Sequence, residues 1–329
     1  MKLKKTITLI CKFFLLGGVI SFFVYFSYFT THPSLPSEKQ PLLFYSNQTS
    51  DDLKIVFQQA IRRAKSSLFI QIYGCTDQDL LQELKKAFEK KVLIELFYDP
   101  SGSGALKKKL PFATPLPCSG LMHKKIVIVD EETVFLGSAN LTPTSLRMHD
   151  NIVVALHQKE LAHFITHSTS NQIQCQAGNQ TIELWQLPDF QNQCLKRVLS
   201  AIKQAKNSIY LALFTFTHPQ ILEEIIEAKN RGVSIQIAID YYSAKGASKK
   251  AIETLRSAHI EPYINQPGKL LHHKWGLIDQ KTLLLGSANW TKAAFSKNED
   301  CLLIVHDLSE TQRNYFLKIW RKIELNSLQ

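Results

Sequence analysis

From residue 51 onward, Leu53, Val56, Phe57, Ala60, Ile61 and Ala64 fall three or four apart, the spacing that puts side chains on one face of a helix. The next apolar block, S-L-F-I-Q-I-Y at 67–73, is short and predicts a strand. A second helix is predicted over 78–90 and a second strand over 92–98, ending at Asp99. The same order then recurs. A helix over 193–206 leads into the strand I-Y-L-A-L-F, and a helix over 220–231 leads into V-S-I-Q-I-A-I, ending at Asp240. Ala64 and Lys65 match Ala205 and Lys206, and Asp99 matches Asp240, so 240 − 99 gives an offset of 141. Strands alternating with helices imply right-handed crossovers. The expected class is therefore α/β: two duplicated α/β/α halves, each with a mixed, mostly parallel sheet covered by helices.

The pattern also sets the boundaries. Residues 13–29 carry no charge, follow a Lys-rich start and predict an uncleaved signal-anchor within residues 1–30. The charge asymmetry places the N-terminus in the cytoplasm and the body on the extracytoplasmic side; a cleaved signal, giving a secreted body, is the competing reading. Residues 31–50, with three Pro, read as a linker, and 51–157 as the first repeat. Residues 158–190, rich in His, Gln, Ser and Thr, read as a short helix and a connecting loop. The second repeat, 191–329, ends in an amphipathic helix over 309–325, with a capping-box start (Ser309, Gln312) and Tyr315, Phe316, Ile319, Trp320 and Ile323 on one face.

Charge narrows the partners without choosing one. Lys and Arg exceed Asp and Glu by 39 − 28, or +11. Four of those Lys lie in the first 12 residues, leaving a mildly basic body that suits an anionic partner, phospholipid head groups or nucleic acid. Cys11 lies beside the apolar run and five more Cys lie in the body, none with zinc-site spacing; for an exported body Cys175 with Cys194 is the expected disulfide.

One stretch carries the chemistry, and it occurs twice. His123 to Asn140 reads H-K-K-I-V-I-V-D-E-E-T-V-F-L-G-S-A-N, and His272 to Asn289 reads H-H-K-W-G-L-I-D-Q-K-T-L-L-L-G-S-A-N. His123, Lys125, Asp130, Gly137, Ser138 and Asn140 match His272, Lys274, Asp279, Gly286, Ser287 and Asn289 at an offset of 272 − 123, or 149. Side chains two apart on a strand share a face, so each His and Lys point together, and the Gly permits a loop that returns the Ser and Asn towards them. Each copy thus gathers an imidazole, an ammonium and an amide, and two copies facing across a pseudo-twofold axis double the set. Asp150 and Glu299 also match at 149.

The doubled H-x-K-x4-D…G-S-x-N pattern resembles the signature of the phospholipase D superfamily, and it spans both halves of the chain. The resemblance implies phosphodiester cleavage through a covalent phosphohistidine, one His acting as nucleophile and the other as acid. By that analogy His123 is the nucleophile and His272 the acid, although the residues alone allow the reverse. Lys125, Lys274, Asn140 and Asn289 would hold the non-bridging oxygens, so no metal or cofactor is required. Asp150 and Glu299 are expected to orient the imidazoles, with Asp130, Ser138, Asp279 and Ser287 in supporting roles. The apolar loop before His123, with Leu110, Phe112, Leu116 and Leu121, and the basic runs 107–109 and 249–250 favour a phospholipid substrate giving phosphatidic acid. Alternatives are a nuclease acting on nucleic acid, a cardiolipin-synthase-like transferase and a tethered lipid-binding protein without turnover. With both half-sites in one chain, a monomer suffices.

Overall fold

The computed structural model describes residues 17–19, 21–22 and 33–328. The chain divides into one unit ending at Leu35 and another beginning at Pro36. In the first, 17–19 and 21–22 are helical; the rest of the run expected to be a membrane anchor lies outside the described residues. Among the described residues no helix is long and apolar enough to cross a membrane.

The second unit is built on two sheets. The first contains β1 (Leu42–Ser46), β2 (Ser67–Ile72), β3 (Leu93–Tyr98), β4 (Ala113–Pro115), β5 (Lys125–Val129), β6 (Thr133–Gly137) and β7 (Ile152–His157), in the order β1-β7-β6-β5-β2-β3-β4. The second contains β8 (Gln172–Ala177), β9 (Gln180–Leu187), β10 (Ser208–Leu213), β11 (Ser234–Ile239), β12 (Tyr263–Asn265), β13 (Lys274–Ile278), β14 (Thr282–Gly286), β15 (Asp300–Val305) and β16 (Ser327–Leu328), in the order β16-β12-β11-β10-β13-β14-β15-β9-β8. The expected helices are present: Leu53–Arg63 and Gln78–Glu89 in the first half, Gln193–Gln204 and Pro219–Asn230 in the second.

The α/β class, the two halves and the mixed sheets stand as expected, but the parallel share is smaller. Among the described strands only β2-β3-β4 and β10-β11-β12 run parallel, and the other ladders between them are antiparallel. The cause is connection length: helices link the parallel strands, whereas three-residue connections, 130–132 and 279–281, join β5 to β6 and β13 to β14, and so short a connection only allows an antiparallel return.

Segments expected to be irregular supply strands at equivalent places. Residues 42–46 of the presumed linker form β1, which pairs with β7, while the presumed connecting loop contains the β8–β9 hairpin, which joins β15 through β9. The stretch Q-I-Q-C-Q-A does alternate polar and apolar residues, the period of a strand with one face inward. The short helix before it, Lys159–His167, is as expected. The path from Asp240 to His272 is longer than that from Asp99 to His123, 32 positions against 24. The excess lengthens one helix, Leu106–Lys109 in the first half against Lys249–Ser257 in the second.

A shared core joins the halves. Ile126, Ile128, Val134 and Leu136 of the first sheet cluster with Trp275, Leu277, Leu283 and Leu285 of the second. The C-terminal helix Glu310–Leu325, with Ser309 and Gln312 forming the expected capping box, lays Phe316, Ile319, Trp320 and Ile323 against this cluster. Tyr315 hydrogen-bonds Asp51 and Thr49. Cys175 belongs to this shared core, whereas Cys194 belongs to a separate cluster on the other side of the second sheet. The expected Cys175–Cys194 disulfide is therefore absent, and both are buried thiols. The apolar loop before His123 is also less open than its composition implies: Leu110 is fully buried and Phe112 stacks on Phe88, leaving Leu121 exposed.

Candidate active site

Each motif folds as a hairpin whose parts hold one another. Asp130 and Glu131 both have positive φ, 53° and 55°, as do Asp279 and Gln280, so each hairpin closes through the turn type that matches strand twist. The Asp130 carboxylate accepts from the backbone N–H of Lys65, Ser66 and Ser67 at 2.9, 2.7 and 3.1 Å. Asp279 does the same with Lys206, Asn207 and Ser208 at 2.8, 2.7 and 2.9 Å. Burial would raise these carboxyls, but the amide donors outweigh it and hold both below the usual range. Gly137 and Gly286 are required by close approach: a Cβ there would lie 2.2 Å from the carbonyl oxygens of Ile152 and Cys301.

The imidazoles sit at the start of β5 and β13, where the halves are stitched reciprocally. The His123 N–H donates to Glu299 O at 2.7 Å, and the His272 N–H to Asp150 O at 2.9 Å. Bridges Met122–Glu299 and Asp150–Leu271 repeat this symmetry, consistent with the pseudo-twofold axis. Each His is then oriented by a side chain from the opposite half. His123 Nδ1–H donates to Asp300 Oδ1 at 2.8 Å, and His272 Nδ1–H to Asn151 Oδ1 at 2.9 Å. Asn151 Nδ2 donates to Ser145 O at 2.8 Å, which turns its oxygen towards His272.

These partners correct the expectation for Asp150 and Glu299, each one residue too early. Side chains alternate along an extended chain, so the neighbour of an inward residue points elsewhere. The Asp150 carboxylate pairs with Lys269, and Glu299 is half-buried. The motif serines have a defined purpose: Ser138 Oγ donates to Asn151 Oδ1 at 2.8 Å and Ser287 Oγ to Asp300 Oδ1 at 2.7 Å, holding the very groups that orient the imidazoles.

The cations and amides close around the same space. Lys125 and Lys274 are buried, their ammoniums donating to the carbonyls of His123 and His272 at 2.6 and 3.0 Å. Asn140 Oδ1 accepts from Gly74 N–H at 3.2 Å, leaving its amide donors for a ligand; Asn289 Oδ1 is buried without a hydrogen-bond partner among the described residues. Tyr73 lies beside His123, ring centroids 5.4 Å apart, and Phe214 beside His272 at 5.0 Å.

Electrostatically this is a cationic cage. Burial and then Lys125 lower the His123 pKa, against the pull of Asp300; burial, Lys274, Lys125, His123 and His149 drive His272 well below its ordinary value. Burial brings Lys125 down to about 8, and burial with Lys125 lowers Lys274 strongly. Burial would raise Asp300, but His123 and Lys125 outweigh it and keep it ionised. A phosphate diester anion entering the cage reverses these penalties. Among the described residues no group of three or more His, Cys, Asp or Glu is placed to hold a metal ion.

A family model described as "Cardiolipin synthase, PLD-like domain" matches residues 57–171 and 198–320, one match on each half. The chain belongs to the phospholipase D superfamily. Within this superfamily it is 34% identical over 134 residues to the mitochondrial cardiolipin hydrolase of Mus musculus, covering 40% of this chain and 59% of that protein. It is 32% identical over 114 residues to a phospholipase D of Rickettsia bellii, covering 35% of this chain and 56% of the relative. The chain thus spans a little over half the length of these curated relatives. A solved phosphatidylserine synthase from Haemophilus influenzae shares the fold, with TM-score 0.68 and 13% identity over 90% of this chain and 88% of that one.

Proposed function

We propose that this chain is a phosphodiesterase that hydrolyses a membrane phospholipid to phosphatidic acid and a head-group alcohol through a phosphohistidine on His123. The observation that carries the assignment is the unequal pair of orienting groups, a carboxylate on His123 and an amide on His272. His123 Nε2 attacks phosphorus, and the bond to the leaving oxygen breaks as the His272 imidazolium gives that oxygen its Nε2 proton. The phosphorylated ring keeps its Nδ1–H and carries positive charge, which ionised Asp300 stabilises. His272, bonded to a neutral amide, is the stronger acid of the two, and the bound phosphate supplies the negative charge that lets it hold a proton before the transfer. Water then gives His272 a proton as its oxygen attacks phosphorus, and the N–P bond breaks. Lys125, Lys274, Asn140 and Asn289 hold the non-bridging oxygens throughout, donors aimed where charge concentrates.

The names printed for the curated relatives, cardiolipin hydrolase and phospholipase D, support a lipid phosphodiester. The test is turnover by the full chain, in EDTA, of labelled phosphatidylcholine, phosphatidylglycerol, cardiolipin and single- and double-stranded nucleic acids. Phosphatidic acid or a phosphatidyl product is expected from lipid, with His123→Asn and His272→Asn each abolishing it. Cleavage of nucleic acid alone would overturn the lipid reading, and loss of activity in EDTA would overturn the mechanism.

A further inference from the structure

The His-rich stretch after the first repeat takes no part in the catalytic cage, yet it is ordered in a specific way. Its helix Lys159–His167 carries the chain from β7 of the first sheet to β8 of the second. Leu161, Ala162, Phe164 and Ile165 bury one face in the core shared by the halves, which leaves Glu160, His163 and His167 exposed on the other. Residues four apart are neighbours on a helix surface, so the spacing H-x3-H sets one imidazole above the other. The two rings stack, with centroids 4.6 Å apart and planes 20° from parallel.

Thr166 fixes which nitrogen of His167 is available. Its hydroxyl donates its proton back into the helix, to Ala162 O at 3.0 Å, with His163 O at 3.2 Å. The same oxygen lies 2.6 Å from His167 Nδ1 and must accept there, which puts the ring proton on Nδ1 and leaves Nε2 with its lone pair. A ring held through one N–H and open at the other nitrogen is the form in which imidazole ligates a metal. The His163 ring nitrogens have no hydrogen bond among the described residues, so that ring also has a lone pair to offer.

The separation suits one ion. Imidazole nitrogens bind zinc at about 2.1 Å, so two of them on one tetrahedral ion stand about 3.4 Å apart. Rings already stacked at 4.6 Å reach that distance by side-chain rotation, with the helix unmoved. The pair lies in the last turns of the helix, where the backbone dipole favours a cation, and Glu160 adds negative charge on the same face. Among the described residues no third His, Cys, Asp or Glu completes a set of ligands. We propose that His163 and His167 chelate a divalent transition-metal cation of the zinc or copper class through two nitrogens, water filling its other positions. The ion spans the end of the helix that joins the two sheets, and it is independent of the lipid reading and of turnover.

The test is calorimetric titration of the metal-stripped full chain with Zn2+, Cu2+, Mg2+ and Ca2+, each alone. Zn2+ is expected to bind, Cu2+ to bind more tightly, and the oxygen-seeking Mg2+ and Ca2+ to leave the pair untouched. The readout is the Zn2+ binding event lost on substitution, which sets this site apart from other histidines. His163→Asn and His167→Asn should each remove it. Thr166→Val keeps both imidazoles but takes away the Nδ1 acceptor, and should weaken it about 10- to 100-fold, a change that mere surface histidines would not show. Circular dichroism checks that each variant keeps the fold. A wild-type chain that takes up no Zn2+, or a His163→Asn chain that takes up as much as the wild type, overturns the proposal.

Discussion

Replacing Asp300 with Asn tests whether the charge beside His123 matters or only its geometry. The carboxylate is fully buried, accepts from His123 Nδ1–H at 2.8 Å and from Ser287 Oγ at 2.7 Å on the same oxygen, and carries the only formal charge among the two orienting groups. An amide of the same shape keeps both hydrogen bonds, as Asn151 does with His272 and Ser138. What is lost is the difference between a charge-assisted and a neutral hydrogen bond, about 1–2 kcal/mol. At 1.36 kcal/mol per decade, phosphoenzyme formation should slow roughly 5- to 30-fold. Rapid denaturing quench with a phosphatidyl-labelled substrate measures that step directly. The reciprocal change, Asn151→Asp, raises the His272 pKa and weakens it as an acid. A nitrophenyl phosphodiester separates the two, because its leaving group needs no proton: the Asn151→Asp defect should vanish there and the Asp300→Asn defect persist. The reverse pattern would make His272 the nucleophile and refute the assignment.

Three further outcomes follow from the packing and titration. Gly286→Ala places a Cβ 2.2 Å from Cys301 O, so the β14–β15 ladder must open; a loss of about 1–3 kcal/mol by denaturant titration is expected, and an unchanged midpoint would contradict the close approach. Trp320→Ala empties a buried indole between Trp275, Tyr210 and Tyr263 and should cost about 3–5 kcal/mol in the same measurement. His273 is buried neutral against Gln48, and burial lowers its pKa to about 3 from 6.5. The unfolded chain therefore takes up the proton first, so this contribution is complete above pH 6.5 and is lost as pH falls towards 3, about 2 kcal/mol by roughly pH 5. His273→Gln should flatten that part of the stability curve, and an unaltered slope would assign the acid sensitivity elsewhere.

Much of this was legible in the residues, for identifiable reasons. The helices and the strands β2, β3, β10 and β11 carry strong single-period patterns, and the duplicated motif fixes which positions correspond. Tyr73 and Phe214 obey the 141 offset, 214 − 73, so their place beside the imidazoles was available from that register. The orienting pair was misread because a carboxylate was sought at matching positions, and Asp150 with Glu299 satisfied that search. The true pair, Asn151 and Asp300, match at 149 but differ in type. Identity at matched positions is a poor guide where the two copies have diverged in charge. The strands β1, β8 and β9 were missed because Pro41 and the Gln-rich composition resemble a loop; β1 is ordered by pairing with β7, and the β8–β9 hairpin by pairing with β15 through β9, a tertiary cause that no local window contains.

The exchange of orienting groups between the halves also bears on how such a site can evolve. An assembly of two identical chains must place the same residue next to both imidazoles, so any mutation that tunes one proton-transfer step retunes its mirror image. Joined in a single polypeptide, positions 151 and 300 mutate independently, and each lies in the opposite half from the imidazole it serves. Fusion thus freed the two catalytic steps to be optimised separately, while the crossed arrangement kept either half from drifting away without disabling the other.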